Sequence, residues 1–237
     1  MTEYFRLLKG LSPKFFWINS ASGITKVNNG KVVDKIVEMA NDAGYDATYY
    51  VVNAKDYNIA QDRKIFLCVG FRKDLGIDFK IPSGSTSNSE KLTLRDAIAD
   101  LQETAVPAGD RSHPNPNARN NNEYYNGPFS TLYMSANRVK SWDEQGYTVQ
   151  ASGVMSQIHP QAPKMVPCGQ RKFKFVEEKE KLYRRITIRE AARLQGFPDE
   201  YRFVYNNVET GYMMVGHALP INVAYEIASE IMQLLNI

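Results

Sequence analysis

One segment near the carboxyl end carries signals for both the start and the end of a helix. Residues 185–198 read RITIREAARLQGFP. Thr187 and Glu190 have the T-x-x-E spacing of a capping box, in which each side chain accepts a hydrogen bond from the other residue's backbone N–H. Good helix formers follow, and Gly196 and Pro198 are typical of a helix end. The sequence therefore predicts a short, well-capped helix after Thr187.

Length and composition limit the class of protein. A chain of 237 residues with 43% apolar residues can form one large domain or two small ones with a filled core. No apolar run reaches the ~18 residues that span a bilayer, and the first residues lack a signal-peptide pattern. Cys68 and Cys168 are too few for a disulfide framework or a zinc site. We therefore expect a cytoplasmic protein with no membrane association and no metal.

Charge is unevenly distributed along the chain. The net charge is +3, but residues 160–203 hold eleven Lys and Arg against six Asp and Glu. Such a surplus is typical of a surface that contacts nucleic-acid phosphates. It is also typical of an ordinary solvated face, and charge alone leaves both interpretations open.

The first eighty residues predict an α/β arrangement. Lys14–Ile18 reads as a short buried strand, and apolar residues at helical spacing follow between Val32 and Ala40. Residues 47–52 and 65–70 are rich in β-branched and aromatic side chains and predict two more strands. The order strand–helix–strand–strand indicates a layered α/β fold.

The rest of the chain has few predicted regular elements. The composition of residues 82–89 predicts a flexible linker, and Thr93 is expected to cap a helix that runs to about Leu101. Residues 106–127 are rich in Pro, Gly and Asn and predict a long loop. Residues 129–154 are expected to be irregular or β.

A final amphipathic helix is predicted after Pro220. Its apolar residues share one face, namely Val223, Ile227, Ile231 and Leu234. About three predicted strands are fewer than the five or six of a usual sheet. The edge strand and apolar faces would then be exposed, so we expect an obligate partner or a self-dimer.

Several segments together resemble the carboxyl-terminal part of DNA cytosine-5 methyltransferases, most closely the bacterial enzymes for GGCC-type sites. The capped segment 185–198 resembles the family's motif after its target-recognition region. The other matching segments are NAKDYNIAQDRK at 53–64, NRVKSWDE at 137–144, TVQASG at 148–153, HPQAP at 159–163 and GHALPINVA at 216–224. The family-motif residues in this chain are Gln61, Arg63, Thr187, Arg189, Glu190, Arg193, Gln195 and Gly216.

The resemblance implies a chemistry and a cofactor. In this family S-adenosylmethionine (SAM) donates a methyl group to carbon 5 of a cytosine that is flipped out of the duplex. A cysteine thiolate attacks carbon 6, a glutamate holds the ring nitrogen, and an arginine holds the base oxygen. We expect SAM in the assembled complex to be bound mainly by a partner chain, with none bound tightly by this chain alone.

The segments that carry the family's catalysis are missing or altered. The chain has neither the F-x-G-x-G motif for SAM nor the P-C-Q nucleophile, and Cys168 is interpreted as an ordinary loop residue. Asn19 stands in place of the catalytic glutamate, Ile65 in place of the second arginine of Q-x-R-x-R, and His217 in place of an asparagine. An amide or an isoleucine cannot replace those groups, so we predict that the chain is inactive alone.

The matching recognition segments supply candidate DNA contacts, because Arg, Lys and side-chain amides read base edges and phosphates. These candidates are Arg138, Lys140, Ser141, Gln150, Ser152, His159, Gln161 and Arg185. Arg185, Arg189 and Arg193 recur every four residues, and both a structural and a phosphate-binding role remain open for them. Ala136 and Val154 stand where close relatives carry arginine, which makes recognition of GGCC itself doubtful.

These observations predict a truncated SAM-methyltransferase (Rossmann-like) α/β sheet without its amino-terminal half, plus an irregular, mostly β target-recognition domain. The expected division is a partial α/β domain at 1–81, the recognition domain with its linker at 82–210, and a returning helix at 211–237. The predicted function is that of a non-catalytic subunit of a restriction–modification cytosine-5 methyltransferase, forming a heterodimer with a catalytic chain on double-stranded DNA. The alternatives are the carboxyl-terminal half of a simple split enzyme and a stand-alone DNA-binding pseudoenzyme.

Overall fold

The computed structural model describes residues 1–110 and 112–236. Short 3₁₀ turns connect several of the regular elements. The helices are α1 (Thr2–Leu11), α2 (Lys31–Asp42), α3 (Leu94–Ile98), α4 (Ile188–Arg193), α5 (Val208–His217) and α6 (Ile221–Leu235). The strands are β1 (Phe15–Ala21), β2 (Tyr45–Asn53), β3 (Lys64–Arg72), β4 (Val106–Pro107), β5 (Glu123–Tyr124), β6 (Val166–Gly169) and β7 (Lys172–Lys174).

The three long strands form one sheet with the order β1-β3-β2. β3 lies between the other two and is antiparallel to both, so β1 and β2 run in the same direction. The predicted order of strand, helix, strand and strand is confirmed. α1 was not predicted, because its buried face consists of only Phe5 and Leu8.

Helices cover both faces of this sheet. β3 reads as a nearly continuous apolar run because both of its faces are buried. Ile65 and Leu67 pack towards α6, whereas Phe66 and Cys68 pack towards α1 and α2. The result is a three-layer α/β/α unit.

α6 confirms the predicted amphipathic helix. Pro220 occupies its N-cap position, Val223, Ile227 and Ile231 are buried, and Leu234 is half-buried. Within residues 1–110 and 112–236, no helix has the length and apolarity that a membrane crossing requires.

The middle of the chain is organised around helices and loops. α3, α4 and α5 contribute Leu94, Ile188 and Tyr212 to one buried cluster. This region is irregular, as predicted, but the prediction that it is mostly β is wrong. Its described residues form only the two-residue parallel pair β4–β5 and the hairpin β6–β7, besides isolated bridges. The boundary predicted at residue 211 falls inside α5, which packs against α4.

The segment 82–89 is attached to the α/β unit, contrary to the flexible linker that its composition predicts. The Tyr57 hydroxyl donates to the Pro82 carbonyl at 2.8 Å, and the Asn58 N–H donates to Thr86 Oγ1 at 2.8 Å. The composition of a segment indicates how flexible it would be in isolation. It cannot show these hydrogen bonds, because their donors lie about 25 positions earlier in the chain.

Candidate functional site

Two fully buried glutamines join the α/β unit to the middle region. Gln61 Nε2 donates to the Leu194 carbonyl at 2.7 Å and to Gln195 Oε1 at 2.9 Å. Gln61 Oε1 accepts the Val149 N–H at 2.8 Å, and Gln195 Nε2 donates to the Val215 carbonyl at 2.8 Å. Because buried amides without partners are costly, this network fixes the loop between β2 and β3 relative to α4 and α5.

Arg63 lies next to this network, at the sheet end where β1 and β2 finish. Its Nη1 donates to the Gly216 carbonyl at 3.3 Å, near the end of α5. Burial lowers the pKa of Arg63. Gly216 allows a close approach, since a Cβ at this position would overlap the backbone of Ala151. Arg63 and Gly216, two of the residues in matching family motifs, thus contact each other near the end of β2.

A cleft of about 340 Å³ opens beside this junction, and we call it the recognition cleft. It is lined by Asp62, Ala136, Asn137, Arg138, Tyr147, Thr148, Gln150, Met155 and Gln157. Asp62 comes from the loop after β2, whereas the other residues come from the middle region. The cleft therefore combines a residue of the Q-x-R motif with two predicted DNA contacts.

Arg138 is the cation of the recognition cleft. Its Nε donates to the Tyr133 carbonyl at 3.0 Å, and its guanidinium lies 5.0 Å from the centre of the Tyr133 ring. Nη2 makes a longer bond of 3.5 Å to the Leu132 carbonyl. These contacts orient the guanidinium, and Nη1 makes no hydrogen bond within the described part of the chain. Arg138 thus retains donors for a ligand.

Gln157 is a buried amide at the wall of the same cleft. Its Oε1 accepts the Tyr147 N–H at 2.8 Å. Its Nε2 is buried and has no partner among residues 1–110 and 112–236. Gln157 was not predicted from the sequence, because no sequence pattern shows that a buried side-chain amide lacks a hydrogen-bond partner.

The other predicted polar contacts lie apart from the recognition cleft. Ser141 and Gln161 line a separate cleft of about 480 Å³, and Gln161 Nε2 is bonded to the Leu182 carbonyl at 2.8 Å. Lys140 pairs with Glu144 at 3.1 Å. Ser152 is half-buried. Of the predicted DNA contacts, the recognition cleft brings together only Arg138 and Gln150.

Arg185 requires a correction, since it is buried and not available to DNA. Nη1 donates to the Gly127 carbonyl at 2.8 Å, Nη2 to the Pro128 carbonyl at 3.1 Å and Nε to the Val154 carbonyl at 3.1 Å. Its guanidinium also lies 4.2 Å from the centre of the Phe129 ring. These contacts consume its donors, so Arg185 organises the recognition region.

Arg189 and Arg193 also bind protein groups, which supports the structural alternative for both. Buried Arg189 donates to the Asn120 carbonyl at 3.0 Å and to the Tyr201 carbonyl at 2.6 Å. Arg193 forms two-pronged pairs with Asp199 and Asp100, with contacts of 2.6–3.0 Å. Hydrogen bonding to these carboxylates raises the pKa of Arg193.

The predicted capping box is present and carries a further role. Thr187 N–H donates to Glu190 Oε2 at 2.7 Å, and Glu190 N–H donates to Thr187 Oγ1 at 2.9 Å. Both Glu190 oxygens also accept from Arg184, at 2.8 and 2.7 Å. Arg184 was missed because it lies outside the capping pattern. The buried pair holds the start of α4 against the preceding segment.

His159 requires a second correction, because it is fully buried beside this pair. Its Nδ1 accepts the Gln161 N–H at 3.2 Å, and its ring meets Trp142 edge to face. Nε2 lies 3.4 Å from Glu190 Oε1, but the orientation does not make a hydrogen bond. Burial lowers the pKa of His159 to about 4, and this effect exceeds the opposing attraction of Glu190. A buried neutral imidazole cannot contact DNA.

The three altered catalytic positions have different environments. Asn19 is exposed near the end of β1, and His217 is exposed as the last residue of α5. Ile65 is buried in the sheet core opposite Ala21 and Val52. An isoleucine in this core offers no donor to a substrate base.

The fold and the junction at the strand ends place this chain in a structural class. It resembles a prophage-encoded E. coli protein assigned as a DNA modification methyltransferase, with a TM-score of 0.68, 20% identity, and coverage of 99% of this chain and 73% of that one. It also resembles a Spodoptera frugiperda DNMT2 variant, with a TM-score of 0.59, 14% identity, and coverage of 98% and 71%. The fold is therefore that of mixed α/β methyltransferases.

The sequence identifies the family. The model of the C-5 cytosine-specific DNA methylase family matches residues 1–233, and the chain belongs to this family. It is 52% identical over 230 residues to the Type II methyltransferase M.NgoPII of Neisseria gonorrhoeae, with coverage of 97% of this chain and 67% of the relative. It is 44% identical over 236 residues to M.FnuDI of Fusobacterium nucleatum, with coverage of 98% and 68%.

Family membership implies dependence on SAM, and the apolar cavity beside β1 does not fit this cofactor. The cavity beside β1, of about 300 Å³, is lined by Phe15, Trp17, Ala228, Ile231 and Met232. These side chains offer no partner for the carboxylate, amino group or ribose hydroxyls of SAM.

Proposed function

We propose that this chain is a catalytically degenerate member of the family that supplies DNA recognition to a SAM-dependent cytosine-5 methyltransferase assembly. The observation that carries the proposal is the buried position of Ile65, together with a cleft that retains Arg138 and Gln150. An arginine that holds the target base would need its guanidinium free at this strand end. Asn19 likewise cannot share a proton with the cytosine ring as a carboxylic acid can.

The recognition cleft supports the DNA-binding half of the proposal. Arg138 keeps donors that suit guanine edges or phosphates, and Gln150 is exposed in the same cleft. The relatives at 52% and 44% identity are Type II methyltransferases. We therefore assign duplex DNA as the substrate of the assembly and restriction–modification as its setting.

The edge of the sheet at β1 supports the docking half of the proposal. Within the described residues, β1 pairs only with β3, so its other edge has no strand partner, although the Trp17 carbonyl accepts from the Tyr4 hydroxyl at 3.4 Å. On one face α1 exposes Leu7 and Leu11, and on the other Phe15 and Trp17 line the apolar cavity beside α6. Contiguous apolar surface on both faces of an open edge is typical of an interface.

The proposed occupant of this edge is an α/β unit that adds a strand to β1 and carries the SAM site and the nucleophilic cysteine. The chain spans 67% and 68% of the two relatives, so about a third of their length has no counterpart in it. A unit of that size suffices to complete a sheet of five or six strands. In the heterodimer that we propose, a catalytic chain provides this unit.

Purification of the tagged chain from its native cells tests the proposal. We expect a stoichiometric chain with a glycine-rich SAM motif and a Pro-Cys-Gln motif, and methyl transfer to duplex DNA by the pair. A partner with a complete set of motifs supports the heterodimer, whereas a bare amino-terminal half indicates a split enzyme. A SAM motif on the same polypeptide would make the docking intramolecular. Elution without any such unit, and no methyl transfer, would refute the proposal.

Two matched substitutions test the docking edge. Leu11 on α1 is 78% exposed and Val204 in the recognition region is 84% exposed. Leu11→Glu should weaken association with the catalytic unit by at least tenfold, whereas Val204→Glu should leave it unchanged. Equal association of both variants would contradict docking along β1.

Activity separates the degenerate subunit from a split enzyme. If Asn19 and Ile65 lay in a working composite active site, Asn19→Glu with Ile65→Arg should raise methyl transfer. We expect no gain with a complete partner, because that partner contributes its own catalytic groups.

A further inference from the structure

The hairpin β6–β7 stands out from the rest of the recognition region. Every residue from 166 to 172 is exposed. The hairpin is attached at its base by Phe175, whose ring stacks on Tyr183 at 4.1 Å and meets Phe129 edge to face at 5.0 Å. The structure thus presents a two-stranded ribbon on a fixed aromatic base.

The ribbon is basic. Between residues 164 and 174 the chain has four cations, namely Lys164, Arg171, Lys172 and Lys174, and no acidic residue. Lys164 pairs with Glu144 at 2.8 Å and Lys174 with Glu177 at 2.7 Å. The side chains of Arg171 and Lys172 make no hydrogen bond or ion pair within the described part of the chain. The two unengaged cations therefore lie together at the turn, where Arg171 has a φ of 50°.

The cations at this turn differ from the neighbouring arginines in their availability to a ligand. Arg184, Arg185, Arg189 and Arg193 belong to the same basic region, but their guanidinium groups are bonded to carbonyl and carboxylate oxygens of the protein. Lys179, Lys181 and Arg202 of this region are also exposed, but they lie outside the hairpin. The charge of the four bonded arginines cannot explain a DNA-binding surface. The exposed turn, in contrast, has the charge and the accessibility that phosphate contacts require.

We propose that the β6–β7 hairpin enters the major groove of duplex DNA, with Arg171 and Lys172 contacting phosphates of the groove wall. The inference rests on the proposed function, and it names a second DNA-binding element besides the recognition cleft. The major groove is about 12 Å wide and admits a two-stranded β-ribbon. Arg and Lys at the tip neutralise phosphates on either side, and each contact releases condensed counterions.

The salt dependence of DNA binding tests this inference. Two phosphate contacts contribute about 1.8 to the slope of log K against log salt. In the purified assembly, Arg171→Ala with Lys172→Ala should therefore lower the slope by about 2. Between 50 and 200 mM salt, the wild type should lose about tenfold more affinity than the variant. Lys31→Ala with Lys35→Ala on α2 removes the same charge elsewhere and should leave the slope unchanged.

Cys168 provides a second readout on the hairpin itself. It is exposed, whereas Cys68 is buried, so a maleimide can report on the hairpin selectively. A duplex that contains the methylation site should slow alkylation of Cys168 at least fivefold, and an equal concentration of a neutral polymer should not.

Two results separate this inference from the proposed function. If the wild type binds duplex, but the double variant keeps its affinity and slope and DNA does not protect Cys168, the hairpin inference is wrong and the proposed function stands. If the assembly binds no duplex at any salt concentration, both are wrong. A reduced slope together with protection of Cys168 supports the inference.

Discussion

The buried histidine gives the sharpest prediction about stability. His159 is fully buried between Trp142, Arg184 and Glu190, and the Gln161 N–H donates to its Nδ1. This arrangement favours the neutral ring, because protonation at Nδ1 would break that bond and place a charge in a buried site. Acidification should therefore destabilise the native state.

The magnitude follows from the two protonation equilibria. The pKa of His159 is lowered to about 4 in the folded protein, against about 6.5 in the unfolded chain. Since the unfolded state binds the proton more readily, the stability is fully present above pH ~6.5 and is lost as the pH falls towards ~4. Between pH 8 and pH 5 the loss is about 2 kcal/mol, and it reaches about 3 kcal/mol at lower pH.

Urea unfolding between pH 8 and pH 5 measures this loss. Above pH 5 the contribution of carboxylates is small, since Asp110 and Glu144, whose pKa values are lowered to about 2, stay ionised when folded. The His159→Gln variant should lose most of the pH dependence in this range, whereas exposed His217→Gln should keep it. A His159→Gln variant with the full wild-type pH dependence would refute the reasoning.

Three further predictions concern buried groups. Arg185→Met leaves buried carbonyls unsatisfied and should lower the free energy of unfolding by about 3–5 kcal/mol, measured with urea; a loss under ~1 kcal/mol would contradict its role. Gln61→Leu and Gln195→Leu should show a coupling of about 1–3 kcal/mol in a double-mutant cycle, and additive effects would disprove the amide network. At neutral pH a maleimide should label Cys168 alone in the native protein, because burial raises the pKa of Cys68 to about 11; labelling of two thiols would count against this packing.

The features predicted correctly from sequence are governed by neighbours along the chain. The capping box of Thr187 and Glu190 needs only a spacing of three residues, and the buried face of α6 needs only helical periodicity. The β-branched runs of β2 and β3 were visible for the same reason. Local patterns therefore sufficed for the three strands, α2 and α6 of the α/β unit, but not for α1.

The recognition cleft could not be predicted in the same way, because distant segments form it. Asp62 and Arg138 line one cleft although they come from different parts of the fold. The resemblance of residues 159–163 to a recognition segment assigned His159 to DNA, and that pattern contained no sign of the tertiary packing that buries this ring. Local resemblance identified the segments, but not which side chains point outward.

The inward orientation of the arginines explains how a region with so few strands can be ordered. Irregular backbone leaves carbonyl groups without ladder partners, and buried carbonyls need donors. Arg185 supplies three close bonds to such carbonyls, and Arg189 bonds three more. These guanidinium groups replace part of the hydrogen bonding that a sheet would provide. Variants of Arg185 and Arg189 should therefore change unfolding, whereas variants of Arg171 should change DNA affinity at unchanged stability.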